Sequence, residues 1–344
     1  MKVSIIGASG YAGEELLRLL HRHPKAEIVH ITSEHYAGTS ISARYPHLTH
    51  IYENPLESME KIHLIAAGSD VLFIALPHGH AMQIAAQLEG YPLRIFDLGA
   101  DYRFADVSVY ETWYHAVHTD PQADRVYGLP ELYRERIRTA HIIGNAGCYT
   151  TASILALAPL VRAHLIQPDS IWINAVSGVS GAGRTAKEST HFPELYDSFT
   201  AYGAVSHRHT PEIEQALSEQ YGATITVSFT PHLAPMSRGI LVTCYAALLD
   251  GVDGDAVDSV FPHAYGDEYF IRLRGRGAYP ATKYVRGTNY CDIAWHIDPR
   301  THRVIVFAAI DNLVKGAAGQ AIQNMNIAFG LDERMGLDLV PMYP

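Results

Sequence analysis

One cysteine and two histidines carry the clearest chemical signal in this chain. Cys148 stands in Gly144-Asn145-Ala146-Gly147-Cys148-Tyr149-Thr150-Thr151-Ala152, a small-residue turn that runs into the apolar segment 153–161. Such a turn puts the thiol at the start of a helix. There the unpaired N–H groups and the positive end of the dipole favour the thiolate, the form that attacks electrophiles. A nucleophile of this kind works with a proton-transfer partner. His207-Arg208-His209-Thr210-Pro211-Glu212 supplies two candidates, His207 and His209, with a carboxylate three residues beyond the second. Thr210 reads as an N-cap and Pro211 as a first-turn residue of a helix over 212–219, which leaves His209 in the loop before it. Glu212 either orients His209 or merely favours the dipole of its own helix.

A second site type opens the chain. Gly7-Ala8-Ser9-Gly10-Tyr11-Ala12-Gly13 lies between the apolar run Val3 to Ile6 and the segment Glu14 to Leu20, which carries Leu16, Leu17, Leu19 and Leu20. A short strand, three glycines and a helix make the turn in which backbone N–H groups meet a pyrophosphate, although the spacing is G-x-x-G-x-x-G rather than G-x-G-x-x-G. The second strand, Glu27 to Thr32, ends at Ser33 instead of the acidic residue that accepts a ribose 2′-hydroxyl. Glu34 follows at once, so the residues alone leave the choice open. Ser33, His35 and Arg44 are suited to surround a 2′-phosphate, which leans the cofactor toward NADP.

Ser177-Gly178-Val179-Ser180-Gly181-Ala182-Gly183-Arg184 has the make-up of an anion or cofactor cradle, or else of a flexible loop. Asp101-Tyr102-Arg103-Phe104 follows the strand Arg94 to Leu98 and brings an arginine toward the ligand crevice, where it can hold a carboxylate or phosphate bidentately. Leu76-Pro77-His78-Gly79-His80 falls at the carboxyl end of a strand, the edge at which such sheets bind ligands. Cys244 lies in an apolar run and reads as core, while Cys291 has no obvious partner. Twenty histidines raise the question of a metal, but neither H-E-x-x-H nor paired C-x-x-C occurs, and no metal is expected.

These groups need elements to position them. From Val3 to about Gly144 strand and helix patterns alternate (Val3 to Ile6, Glu27 to Thr32, Val71 to Leu76, Arg94 to Leu98, His141 to Ile143), the signature of an α/β, Rossmann-type doubly wound parallel sheet. After Cys148 the texture changes to longer β runs, Ser170 to Val176, Thr224 to Thr230, Gly239 to Leu249, Tyr269 to Leu273 and Arg303 to Ile310. This suggests a second, α+β domain with a mixed, largely antiparallel sheet. The expected division is 1–147 with 313–344, the last helix (315–329) returning to the first domain, against 148–312 for catalysis and oligomerisation.

At 344 residues, with 48% hydrophobic and 18% charged residues, the chain can build two sizeable cores. A net charge of −10 argues against nucleic acid as a partner. Three scattered cysteines fit reduced thiols. No signal peptide and no apolar stretch of about 20 residues is visible, so a cytoplasmic location and no membrane partner are expected.

Taken together, Gly7 to Gly13, Leu76-Pro77-His78-Gly79, Gly99-Ala100-Asp101-Tyr102-Arg103, Gly147-Cys148-Tyr149, Ser177 to Arg184, His207 to Ile213, Ser237-Arg238-Gly239-Ile240 and 309–316 resemble the N-acetyl-γ-glutamyl-phosphate reductases of the semialdehyde dehydrogenase superfamily. The resemblance spans essentially the whole chain. It implies an NADPH-dependent reduction of an acyl phosphate to an aldehyde through a cysteine thioester, in arginine biosynthesis. Cys148 matches the nucleophile, His209 the acid/base, and Gly7, Ser9, Gly10, Tyr11, Ala12 and Gly13 the pyrophosphate site. Arg103, Ser177, Gly178, His207 and Glu212 match the substrate pocket. Ser33, Pro77, His78, Ser180 and Gly181 are assigned to the cofactor with Asn312, which matches a position near the nicotinamide. A homodimer or homotetramer is implied as well.

Two departures bear on the substrate. The family commonly has proline before Gly-Cys and again two residues after the cysteine, where this chain has Ala146 and Thr150. Alanine in the first place, like Gly287-Thr288-Asn289-Tyr290, resembles the reductase of carrier-linked α-aminoadipyl phosphate in lysine biosynthesis. Tyr149 and Ser177 to Arg184 look more like the arginine enzyme, and a charge of −10 suits an acidic carrier poorly. The arginine-pathway substrate is therefore favoured. An NADP-binding sensor without turnover would share the glycine turn but needs neither the helix-start cysteine nor the histidine.

Overall fold

The computed structural model describes residues 1–343, which divide into two compact units, 1–146 with 317–338, and 147–316 with the stretch from 339 on. In the first unit the short apolar runs form β1 (Lys2–Ile6), β2 (Glu27–Ile31), β3 (Val71–Ile74), β4 (Arg94–Asp97), β5 (Arg125–Gly128) and β6 (Ile142–Asn145). They pair in the order β2-β1-β3-β4-β6-β5, all parallel. Continuous burial explains their composition: all four residues of β3 are fully buried, as parallel strands covered on both faces must be. Helices α1 (Tyr11–Leu20), α2 (Ile41–Arg44), α3 (Ile62–Ala67), α4 (Ala81–Gln87), α5 (Val107–Tyr114) and α6 (Pro130–Thr139) connect the strands.

Because the chain runs from β1 outward to β2 and then back across to β3, the order reverses between β1 and β3. The glycine turn after β1 and the Pro77-His78 loop after β3 thus leave the sheet at one switch point, where such folds bind nucleotides. A later helix, α11 (Gly319–Ala328), packs into this unit through amides as well as apolar groups. Asn324 Nδ2 donates to Asn145 Oδ1 (2.7 Å) and the Gly128 carbonyl (3.0 Å), and the Asn326 amide oxygen meets His23 Nε2 at 2.8 Å. Buried amides tolerate such a position only when paired in this way.

The second unit is built on seven strands: β7 (Ile166–Gly178), β8 (Thr200–Ala201), β9 (Val227–Ala234), β10 (Ile240–Leu248), β11 (Ile271–Arg276), β12 (Cys291–Asp298) and β13 (Arg303–Ile310). Their order is β11-β12-β13-β10-β7-β9-β8, parallel for β7–β9 and β11–β12 and antiparallel elsewhere. Alternation along β10 leaves Val242, Cys244 and Ala246 fully buried, on the face covered by α7 (Cys148–Arg162). The remaining helices of the unit are α8 (Phe192–Leu195), α9 (Thr210–Tyr221), which packs on α7, and α10 (Gly254–Tyr265).

β5, β8 and β12 are strands that the hydrophobic pattern did not announce. The strand expected over 224–230 lies at 227–234, and β2 ends two residues before Ser33.

Candidate active site

Cys148 is the first residue of α7, behind Gly147 in extended conformation (φ −66°, ψ 161°), and is partly exposed. No side chain of the preceding turn caps this helix. The cap comes from α9: Glu212, fully buried, accepts the Gly147 N–H at 2.8 Å through Oε1, and the Thr150 hydroxyl reaches the same oxygen at 2.9 Å and the Gly147 carbonyl at 2.7 Å. Glu212 also stands in the first turn of its own helix, so one carboxylate serves the positive ends of two helices. Glu212 thus holds the start of the helix that carries Cys148, a role that the local spacing of the HxHxPE run does not suggest.

His209, not Thr210, is the residue at the N-cap of α9; Thr210 and Pro211 are already helical, and the buried Thr210 hydroxyl has no partner. The reason is local, since the Thr210 N–H bonds back to the His207 carbonyl (3.0 Å) and starts the turn one residue early. The His209 N–H donates to His207 Nδ1 at 3.1 Å, which leaves the proton of neutral His207 on Nε2. The two rings meet edge to face at 4.8 Å. Tyr149, Tyr202 and Phe229 surround His207 with ring centroids at 5.7, 5.6 and 5.4 Å, and Tyr149 also lies 6.0 Å from His209. Burial in this ring box, with the Arg208 charge beside it, lowers His207 to about 4.

Two phenols close the site. Tyr149 donates to the His232 carbonyl (2.9 Å) and accepts from the Tyr202 hydroxyl at 3.2 Å. Burial pushes both upward, Tyr202 to about 12, and the nearby Cys148 charge acts in the same direction. They are therefore neutral hydrogen-bonding groups at physiological pH. Tyr202 is missing from the sequence reading because it sits in an exposed stretch with no motif around it.

The loop after β7 is a platform rather than an open anion cradle. The N–H groups of Gly178, Val179 and Ser180 are taken by the carbonyls of Gly239, Met236 and Ser237 at 2.9 to 3.1 Å. A Cβ at Gly178 would come within 2.8 Å of that same backbone. Asn312 bridges the two segments, accepting from the Gly239 N–H (2.7 Å) and donating to the Ser180 hydroxyl (3.0 Å). Ser177 is buried and donates to the Gly178 carbonyl at 2.9 Å, while Gly181 lies against it, its would-be Cβ 3.0 Å from Ser177 Oγ.

In the other unit the glycine turn fits a dinucleotide. A Cβ at Gly7 would stand 2.6 Å from the Ala75 carbonyl oxygen, and one at Gly13 would overlap the Gly7 carbonyl, so helix and strand are in close approach. Gly10, the N-cap of α1, would have its Cβ 3.6 Å from the Gly7 carbonyl oxygen, an ordinary contact, and Tyr11, Ala12 and Gly13 begin the helix behind it. Ser33 is buried, its hydroxyl 2.7 Å from that of Ser9, and Glu34 beyond it is exposed. Thr32 holds the turn from below through Gly7 N (3.3 Å) and Ala8 N (2.9 Å).

Asp101 fixes the loop of Pro77 and His78 by accepting from the Gly79 N–H (2.7 Å), the Met82 N–H (3.2 Å) and the Tyr110 hydroxyl (2.9 Å). His78 packs edge-on against Tyr114 at 5.1 Å. Beside Asp101 lies Asp97, whose carboxyl is pushed up by complete burial and then by the Asp101 charge. Arg103 is nearly buried and donates to the backbone carbonyls of Asn145 (2.7 Å) and Leu98 (3.2 Å). Part of its fork is thus used in tying together the ends of β4 and β6. Among the described residues no group of three or more His, Cys, Asp or Glu side chains could hold a metal, and no helix is long and apolar enough to cross a membrane.

Residues 2–140 match the family described as semialdehyde dehydrogenase, NAD binding domain, and residues 148–312 match semialdehyde dehydrogenase, dimerisation domain. Curated proteins named N-acetyl-gamma-glutamyl-phosphate reductase from Desulforamulus reducens and Symbiobacterium thermophilum are 50% and 51% identical. Each alignment covers 100% of this chain and 100% or 99% of the relative. Among solved structures, aspartate semialdehyde dehydrogenase II from Vibrio cholerae superposes with a TM-score of 0.73 at 16% identity, covering 96% of this chain and 98% of that one. The NADP complex of aspartate semialdehyde dehydrogenase from Candida albicans gives 0.69 at 16% identity, with 95% and 97% covered. With both units matched and full-length relatives at half identity, the chain belongs to the semialdehyde dehydrogenase family, in its N-acetyl-γ-glutamyl-phosphate reductase branch.

Proposed function

We propose that this chain reduces N-acetyl-γ-glutamyl phosphate to N-acetylglutamate 5-semialdehyde with NADPH, releasing phosphate, in arginine biosynthesis. The observation that carries the reading is Cys148 at the start of α7, with the next residue, Tyr149, in ring contact with both His207 and His209, in a chain whose full-length relatives bear that reductase's name. The first unit is the dinucleotide-binding domain, and the second is for catalysis and oligomerisation.

The Cys148 thiolate attacks the acyl carbon, the C–O bond to phosphate breaks, and a thioester remains on the sulfur. Gly7, Ser9, Gly10, Tyr11, Ala12, Gly13, Ser33, Pro77 and His78, with Ser180, Gly181 and Asn312, would hold NADPH, which would supply the hydride for reduction of this thioester. The aldehyde leaves as the C–S bond breaks and the thiolate returns. His209 moves the protons, while neutral His207 offers its Nε2 hydrogen to the acyl group and the Tyr149 and Tyr202 rings, their hydroxyl protons already committed, wall the pocket. Ser177, Gly178 and Arg103 complete the substrate contacts. Glu212 acts through the turn that presents Cys148.

Ala146, in place of a family proline, favours a second substrate, a carrier-linked α-aminoadipyl phosphate. One assay separates the two: inorganic phosphate, NADP and either N-acetylglutamate 5-semialdehyde or the carrier-linked analogue, followed by NADPH absorbance. Turnover with the first alone is expected, with NADPH preferred over NADH in the reverse direction. Cys148→Ser should keep NADPH binding and lose turnover, since a hydroxyl is not ionised at neutral pH. More than about a tenth of normal activity in that variant contradicts covalent catalysis.

A further inference from the structure

The run 309–316 enters the site described above only through Asn312, yet its last residue lies against the nucleophile. A Cβ built on Gly316 would stand 2.7 Å from Cys148 Cβ and 3.1 Å from Cys148 Cα, with Ile310 Cδ1 next at 3.4 Å. No real Cβ tolerates the first of these distances, and the obstruction is the body of the cysteine, not the end of a flexible chain. The backbone at Gly316 is not left-handed, so it does not by itself ask for glycine. In a helical conformation alanine is the better residue on propensity alone. What keeps a side chain out of this position is Cys148.

Gly316 is held there firmly. It belongs to a π-helical turn, Val314–Ala318, in which its N–H donates to the Asp311 carbonyl five residues back at 3.1 Å. The fully buried Asp311 side chain accepts from the N–H groups of Leu313 (2.9 Å), Val314 (3.2 Å) and Gly287 (2.7 Å). Turns of this type are rare and concentrate at functional sites. On the other side, Glu212 grips the Gly147 N–H that starts the cysteine's helix.

We infer that Gly316 is a positioning residue for the proposed reaction: it forms, with the Asp311-held turn, the wall against which the Cys148 backbone and Cβ rest, and so sets where the sulfur stands. The inference takes Cys148 as the nucleophile, as proposed above. Gly316→Ala should lower kcat by about 100-fold, the loss expected of a displacement near 1 Å. KM for the acyl phosphate and for NADPH should stay within about twofold, because uniform binding is untouched. Alkylation of Cys148 by iodoacetamide should slow with kcat, as the sulfur leaves the N–H groups that favour its thiolate.

A thermal double-mutant cycle reads the contact without any substrate. Gly316→Ala should lower Tm in the wild type but much less in Cys148→Gly, where the opposing Cβ is gone; that pair also remains measurable if the single alanine variant folds poorly. Wild-type kcat and alkylation rate in Gly316→Ala, or an equal Tm loss in both backgrounds, overturns the inference. Full activity of Cys148→Ser would instead remove the nucleophile reading and leave the cycle to report the contact alone.

Discussion

Within the pair of histidines, one hydrogen bond separates the roles. His207 Nδ1 is an acceptor for the His209 N–H, and burial holds the ring near 4, well below its ordinary 6.5. His207 is therefore neutral at physiological pH, and in the proposed mechanism the proton transfer falls to His209. His209→Asn should cost about 100- to 10,000-fold in kcat and remove a limb of the pH profile. His207→Asn should cost less and keep the limb; if it removes the limb, the two roles are exchanged. The same shift has a stability consequence with a definite sign. Below about 6.5 the unfolded chain takes up a proton that folded His207 refuses, so stability falls as pH drops from about 6.5 to about 4 and is unaffected above that window. Urea denaturation of wild type and His207→Asn at the two ends of that range measures it, and the acid-side loss should shrink in the variant.

At the scale of elements, the start of α7 depends on a residue 62 positions later than Thr150, and this long reach is why its role escaped the sequence. Glu212→Ala should destabilise the protein by about 1–3 kcal/mol, because the Gly147 N–H loses its acceptor in a buried place, while the Thr150 hydroxyl keeps the Gly147 carbonyl. Glu212→Gln, which keeps an oxygen there, should cost less. Equal Tm values for Glu212→Ala and wild type would deny the cap. Signals carried by local order were legible: the helix-start thiol, the glycine turn between β1 and α1, and short apolar strands such as β3 (VLFI) and β13 (RVIVFAAI). β5 (RVYG) and β12 (CDIAWHID) were not, since polar residues interrupt them and their pairing with distant strands decides their conformation. Spacing could suggest a cradle at 177–184, but only the fold reveals that the N–H groups of Gly178, Val179 and Ser180 are already satisfied by 236–239.

At the scale of the whole molecule, the seven-stranded sheet packs against α7 through β7, β10 and β13. On β10 the residues alternating with buried Val242, Cys244 and Ala246 are half-buried Leu241, Thr243 and Tyr245. The register sets Tyr245 between Trp172 of β7 and Ile305 of β13, with His296 of β12 beyond Ile305, so one row crosses four strands. Trp172 is 39% exposed, with the Arg303 guanidinium 4.9 Å over its ring. A flat, largely apolar row of this kind is costly to leave in water, and it lies in the segment matched by the dimerisation domain. A second copy of the chain is the expected cover, the row meeting its own counterpart about a two-fold axis. Tyr245→Glu, placing a charge at the middle of the row, should convert the oligomer to monomers in sedimentation experiments while the isolated fold, read by circular dichroism, persists. An oligomer of unchanged size at low protein concentration would move the interface to another surface of the same domain.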